Sequence, residues 1–184
     1  MDDEHREFLE ALLETASPSG YETPGQRVWV DYVSRFADDV TVDEYGNAVA
    51  VHEGDSDVDV SVALAGHGDE IGFVVRRVTD DGFVKLGRVG GSDKTVSRGQ
   101  HVTVHTDDGP VDGVIGQVAI HLRTSYDEEY DEIAEQHVDI GVEEGEDARA
   151  LVDVGDPVTV NTEITELTDG RLAARGMDNR VGIW

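Results

Sequence analysis

A histidine and a carboxylate stand two residues apart in Ala65-Gly66-His67-Gly68-Asp69-Glu70-Ile71-Gly72. The run Val60 to Ala65 leads in and Ile71 to Val75 leads out, and both read as short strands rich in β-branched residues. Side chains on a strand repeat with period 2, so His67 and Asp69 at a strand end point to the same side. A neutral imidazole and a carboxylate oxygen are ordinary ligands for Zn²⁺, Co²⁺ or Mn²⁺. A metal-bound histidine also needs a partner for its other ring nitrogen, and Asp69 is placed to supply one. His-x-Asp is equally what an ordinary polar loop contains, so spacing alone leaves both readings open.

A second group lies near the far end of the sequence, at Asp178-Asn179-Arg180 after the small apolar run Leu172-Ala173-Ala174. The two oxygens of a carboxylate such as Asp178 can bridge a pair of metals about 3.5–4 Å apart. An aspartate at that place is also a plain helix N-cap, and Arg180 reads as a solvated charge on the helix surface. The helix that starts here would turn Val181 and Trp184 inward, yet no Gly, Asn, basic last turn or Pro closes it. The expectation is that residues 1–184 are the front part of something longer.

The elements that must position these groups follow from periodicity. Phe8, Leu9, Leu12, Leu13 and Ala16 mark one face of a helix over 2–16 with acids in its first turn. Ser17-Pro18-Ser19-Gly20 ends it, and Thr23 as N-cap with Pro24 at the first helical position starts another. That second helix is expected to bury Val28, Trp29, Tyr32, Val33 and Phe36 and to end near Ala37. Residues 39–43 and 48–52 form a hairpin around Tyr45-Gly46-Asn47. Asp55-x-Asp57-x-Asp59 has the spacing of a calcium loop, but Val60 and Gly66 stand where that loop needs Gly and Glu, so the motif is rejected. From about 74 to 160 short strands alternate with turns, the pattern of a small all-β module that closes into a barrel. Within it a strand is expected at 139–142 and a short helix at 146–151. Residues 126–135 are read as a loop or short helix.

Composition narrows the function classes. The 184 residues carry 41 Asp and Glu against 14 Lys and Arg, a formal net charge of -27. Hydrophobic residues make up 38% and fall in periodic runs, so a folded protein with an acidic shell fits better than disorder. Such a charge repels itself in dilute buffer, and at about 1 M salt a Debye length of roughly 3 Å screens it. A cytoplasm rich in salt is the matching environment, and nucleic acid or an anionic membrane is a poor partner. There is no cysteine, hence neither a disulfide nor a thiolate site. The acidic start is unlike a signal peptide, and no run approaches the length of a membrane span.

In order along the chain, Ser17-Pro18-Ser19-Gly20-Tyr21-Glu22, Asp43-x-x-Gly46-Asn47, Gly66-His67-Gly68-Asp69-Glu70-Ile71-Gly72-Phe73 and Gly90-Gly91-Ser92-Asp93-Lys94-Thr95 occur. They are followed by Gly113-Val114-Ile115-Gly116, His121-Leu122, Asp139-Ile140-Gly141, Val154-Gly155-Asp156-Pro157-Val158 and Met177-Asp178-Asn179-Arg180-Val181-Gly182. This ordered set resembles the N-terminal half of the M42-type metalloaminopeptidases, the self-compartmentalising peptidases also known as glutamyl or tetrahedral aminopeptidases.

The resemblance implies an α/β/α metallopeptidase domain, incomplete here, formed by residues 1–72 and 165–184. A small β-barrel inserted at 73–164 would serve oligomerisation. It implies a pair of divalent ions, zinc or cobalt, with His67 as ligand to one and Asp178 bridging both. Asp69 resembles the acid that orients the ligating histidine, and the Asp178-Asn179 bond resembles one that is cis in related enzymes. The implied activity is removal of N-terminal residues from peptides, by homo-oligomers in which dimers build a larger particle. The family's general-base glutamate and its remaining ligands lie beyond the helix that starts at Asp178. Glu70 is given no part in replacing them, so residues 1–184 alone are expected to be inactive. The alternative is a catalytically silent truncated product, at most an oligomerisation module.

Overall fold

The computed structural model describes residues 2–54, 60–123 and 130–184. The Asp55-x-Asp57-x-Asp59 stretch and part of the segment 126–135 therefore lie outside the described residues. The chain begins with α1 (Asp3–Glu14), α2 (Thr23–Val33), β1 (Asp39–Val42) and β2 (Ala48–Val51). Then come β3 (Gly72–Val78), β4 (Val84–Val89), β5 (His101–Thr106), β6 (Gly109–Gly116), β7 (His137–Asp139), α3 (Gly145–Arg149) and β8 (Pro157–Val160). Last are β9 (Thr165–Glu166), β10 (Leu172–Ala173) and α4 (Met177–Ile183). These fall into two compact units, Met1–Glu70 with Glu163–Trp184, and Ile71–Thr162.

The second unit is a closed barrel in the order β3-β4-β7-β6-β5-β8, antiparallel throughout. Alternation explains its core: Phe73, Val75, Val84, Leu86, Val102, Val104, Ile115, Val138 and Val158 point inward and are buried. Closure leaves no unpaired strand edge, which a short-stranded module otherwise has to protect. Gly82 makes the β3–β4 turn with φ +79, and a Cβ there would lie 2.5 Å from the Val142 carbonyl oxygen, so only glycine fits. The strand expected at 139–142 instead runs over His137–Asp139. Gly141 turns the chain at φ +84, and the Asp139 carboxylate accepts from its N–H at 2.8 Å.

In the first unit, α1 buries Phe8, Leu9, Leu12 and Leu13, and Asp2 caps it by accepting from the His5 N–H. Phe8 stacks on Tyr32 of α2 with ring centroids 3.7 Å apart. The expected cap at Thr23 is corrected. Thr23 is itself helical, Glu22 precedes it without a capping bond, and the acceptor comes from outside the helix, where Ser17 Oγ takes the Gly25 N–H at 2.9 Å. Helix α2 also stops at Val33, earlier than expected, and Phe36 is exposed because it falls in the turn that follows.

The strand expected at Val60 to Ala65 is absent. Val60, Val62 and Leu64 are 70%, 81% and 94% exposed, and no neighbouring strand among the described residues pairs with them. A strand exists through ladder bonds to a partner, which β-branched composition invites but does not provide. The hairpin β1–β2 does form, with Val42 opposite Ala48. Its turn is tied by Asp43, whose carboxylate accepts from the Asn47 side chain at 2.8 Å and from the Tyr45 and Asn47 N–H groups at 2.9 Å each. These bonds, that of the Asn47 side chain foremost, hold the Asp43 pKa below the usual value of 3.8. A depressed pKa means stability present above the unfolded value and lost as pH falls through the folded one. Amide exchange in β1 and β2 is therefore expected to accelerate below about pH 3.8 in wild type. In Asp43→Asn that acid step should vanish; its persistence in the variant would refute the assignment.

Candidate functional site

Two segments far apart in sequence carry the candidate groups, and the first unit brings them together. His67 Nδ1 lies 2.8 Å from Asp69 Oδ1, and His67 Nε2 lies 3.5 Å from Asp178 Oδ1. Asp178 opens α4, and its side chain is 96% exposed. The Asp178-Asn179 peptide bond is cis. An ionised carboxylate only accepts, so a proton on either ring nitrogen is donated to the carboxylate that nitrogen faces, from Nδ1 to Asp69 and from Nε2 to Asp178. The His67 Nε2 to Asp178 Oδ1 separation is 3.5 Å, longer than a good hydrogen bond. Two ligands of one tetrahedral zinc, each about 2.0–2.1 Å from it, would stand about 3.4 Å apart. The pair thus fits a divalent cation as part of its shell. Among the described residues no group of three or more His, Cys, Asp or Glu side chains is arranged to hold a metal.

Asp69 is held from both sides. Its Oδ1 meets His67, and its Oδ2 accepts a short hydrogen bond from Ser19 Oγ. Partial burial works to raise its pKa, but the bonds from Ser19 and His67 outweigh that, and the net shift is downward. The ionised form that can accept from His67 is the favoured one.

Ser19 belongs to the loop after α1, which lies alongside Glu70 in a short parallel bridge between Pro18 and Glu70. Ser17 O accepts from the Glu70 N–H at 3.0 Å, and Glu70 O from the Ser19 N–H at 3.1 Å.

Beneath this surface lies a group that sequence reasoning missed. Arg180, expected to be a solvated charge, is completely buried, and Glu70 is 3% exposed. Helix α4 turns Arg180 inward and leaves Val181 and Trp184 partly exposed, because the inner face meets bare carbonyls rather than an apolar core. Arg180 Nη1 donates to Leu12 O at 2.6 Å and Leu13 O at 3.4 Å, Nε to Gly68 O at 3.1 Å, and Nη2 to Glu70 Oε1 at 3.0 Å.

Arg175 also pairs with Glu70 Oε1, and donates to Glu14 O at 2.5 Å. Ser17 N–H is a third donor to that oxygen, at 3.0 Å. Burial, the largest influence, pulls the Arg180 pKa below its ordinary value, with Glu70 acting against it. The one hint in the sequence was a pair of arginines, Arg175 and Arg180, within six positions of a very acidic chain; nothing in the spacing said that they were buried.

Loss of the Ser19 hydroxyl should free Asp69. Ser19→Ala is expected to lower stability by about 1 kcal/mol, the usual net worth of such a bond once partial exposure is discounted. Thermal unfolding identical to wild type would show that the Ser19–Asp69 bond is not made in solution.

Comparison with known proteins points in one direction. A family profile described as M42 glutamyl aminopeptidase matches residues 46–184. The lysyl aminopeptidase of Pyrococcus furiosus is 28% identical over 185 residues, covering 97% of this chain and 52% of that protein. Among solved structures, a TET aminopeptidase from a marine sediment archaeon of the Thaumarchaeota superposes with a TM-score of 0.87 at 29% identity. That match covers 98% of this chain and 51% of the other. The TET1 peptidase of Pyrococcus horikoshii, which can assemble into a tetrahedron or a large octahedral shell, gives a TM-score of 0.84 at 31% identity. It covers 97% of this chain and 53% of that one. The chain spans about half the length of the relatives it matches.

Proposed function

Because the chain belongs to the M42 glutamyl aminopeptidase family, we propose that the whole protein is a metal-dependent aminopeptidase that removes N-terminal residues from peptides. The observation that carries this reading is the approach of His67 Nε2 to the Asp178 carboxylate at 3.5 Å, with Nδ1 2.8 Å from Asp69. In this reading His67 and Asp178 would be ligands of a pair of divalent ions, zinc or cobalt. When bound, such a pair polarises a scissile carbonyl and lowers the pKa of water. Asp69 fixes the imidazole tautomer and ring orientation, and Ser19 fixes Asp69. No helix among the described residues is long and apolar enough to cross a membrane, and with the acidic shell this supports a cytoplasmic enzyme working at molar salt.

Two donors hold zinc poorly, since closed sites use four ligands and catalytic ones at least three. Residues 1–184 alone are therefore expected to bind Zn²⁺ more weakly than micromolar and to lack peptidase activity. A polypeptide of the relatives' length should hydrolyse aminoacyl p-nitroanilides, lose that activity in His67→Ala and Asp178→Ala, and lose about 10–100-fold in Asp69→Asn. Activity surviving both ligand substitutions would sink the reading. Tight stoichiometric zinc binding by residues 1–184 would refute the partial-site description.

A second reading, a catalytically silent product whose barrel at most drives association, draws support from the two-donor site. No activity at the relatives' length under any metal would favour it. Both readings give the barrel, with Val118, Ile120 and Leu122 exposed, a role in self-association. Sedimentation at molar salt should show oligomers that Ile120→Glu shifts toward monomer. Monomeric wild type would remove that role.

A further inference from the structure

Three segments converge on the Arg180 guanidinium. Helix α1 has no basic residue in its last turn, and the last four carbonyls of a helix need donors from outside. Here Thr15 supplies Ala11 O through its N–H at 3.2 Å and its hydroxyl at 2.7 Å, Arg180 supplies Leu12 and Leu13, and Arg175 supplies Glu14. The same guanidinium holds Gly68 O, the carbonyl next to His67, and is itself carried by α4 two residues after Asp178. Four of its five N–H groups are thereby used. Glu70, buried beside it, supplies the countercharge and joins the 68–70 backbone to the same centre.

Close packing reinforces the arrangement. A Cβ on Gly66 would come within 2.8 Å of Ile183 Cγ2, and one on Gly68 within 3.1 Å of Ile183 Cδ1, so glycines on both sides of His67 let α4 approach. Two ring nitrogens fix α4 from its far end: Trp29 Nε1 donates to Ile183 O at 2.9 Å, and Trp184 Nε1 to His5 O at 2.7 Å.

We propose that Arg180, seated on Glu70, is a positioning residue that sets the spacing between His67 and Asp178. This rests on the reading of those two side chains as metal ligands. Neither ligand is on a shared sheet or helix, so their separation depends on a bridge between segments more than a hundred positions apart. A planar guanidinium can span Gly68, the end of α1 and Glu70 at once; an ammonium of similar charge cannot.

The test uses the whole 184-residue chain in molar KCl, with Zn²⁺ alone as probe. In wild type, backbone resonances of His67 and Asn179 should shift along one shared zinc isotherm. Arg180→Lys should weaken that isotherm about tenfold, as loss of a ligand's support does, and split it between the two residues. Leu9→Ala, which destabilises α1 through a cavity, should lower the unfolding temperature and leave the isotherm in place. An unchanged isotherm in Arg180→Lys, or an equal loss in Leu9→Ala, overturns the proposal.

Hydrogen exchange separates it from the metal reading. Arg180→Lys should speed exchange at Glu70 and Trp184 together, by about tenfold or more, through opening of one shared unit. Should zinc move neither His67 nor Asn179 in wild type, two donors without further ligands do not hold the ion, and the metal reading is judged by activity at the relatives' length; coupled exchange then still upholds the clamp and uncoupled exchange overturns it. If Arg180→Lys does not fold, Glu70→Gln, which keeps an acceptor but removes the charge, is judged by the same two outcomes.

Discussion

A guanidinium with no exposed surface, facing a carboxylate that is nearly as hidden, is the interaction on which the first unit depends. Taking two charges out of water costs several kcal/mol each, and only good geometry with full hydrogen bonding recovers it. Here the geometry is supplied by bare carbonyls at the end of α1, by Gly68 O, and by a Glu70 oxygen shared among Ser17, Arg175 and Arg180. Each of these acceptors would itself be costly to bury unpaired. The network is therefore mutual: the arginines satisfy the helix end, and the helix end makes burial of the arginines tolerable.

That mutual dependence links stability to the site. The loop Ser17–Ser19 serves three masters: Ser17 Oγ accepts at the start of α2, the Ser17 N–H and carbonyl engage Glu70, and Ser19 holds Asp69. His67 stands exposed above this base, steered by Asp69 and facing Asp178. An exposed pair of metal-type donors on a buried ionic foundation is a sensible division of labour. His67 and Asp178 stay exposed, while the Arg180–Glu70 pair lies out of reach of water and is screened little by salt. For a chain of charge -27 this matters, because the surface electrostatics change with the medium and the buried network does not.

The barrel follows another logic. Its core is aliphatic, its strands pair in one antiparallel ring, and its turns are set by a few glycines and Asx contacts. Period-2 alternation and turn residues are local signals, and the barrel was accordingly legible from sequence apart from β7, which runs over His137–Asp139 rather than 139–142. In the first unit the same reasoning worked for α1 and the β1–β2 hairpin and failed at Val60 to Ala65, where apolar alternation met no partner strand.

The sequence by itself determined the helical and alternating segments, the acidic shell, and the ordered motifs that place the chain in the M42 glutamyl aminopeptidase family. Type and spacing marked His67, Asp69 and Asp178 only as candidates, with an ordinary loop or helix cap as the other reading; their roles at a site are what the family resemblance implies. Only the tertiary structure decided which of them meet, and that Arg180 lies inside rather than out. The reason is physical: whether a charge is buried depends on acceptors contributed by distant segments, here Leu12, Leu13, Gly68 and Glu70, and no local pattern around Arg180 encodes their arrival.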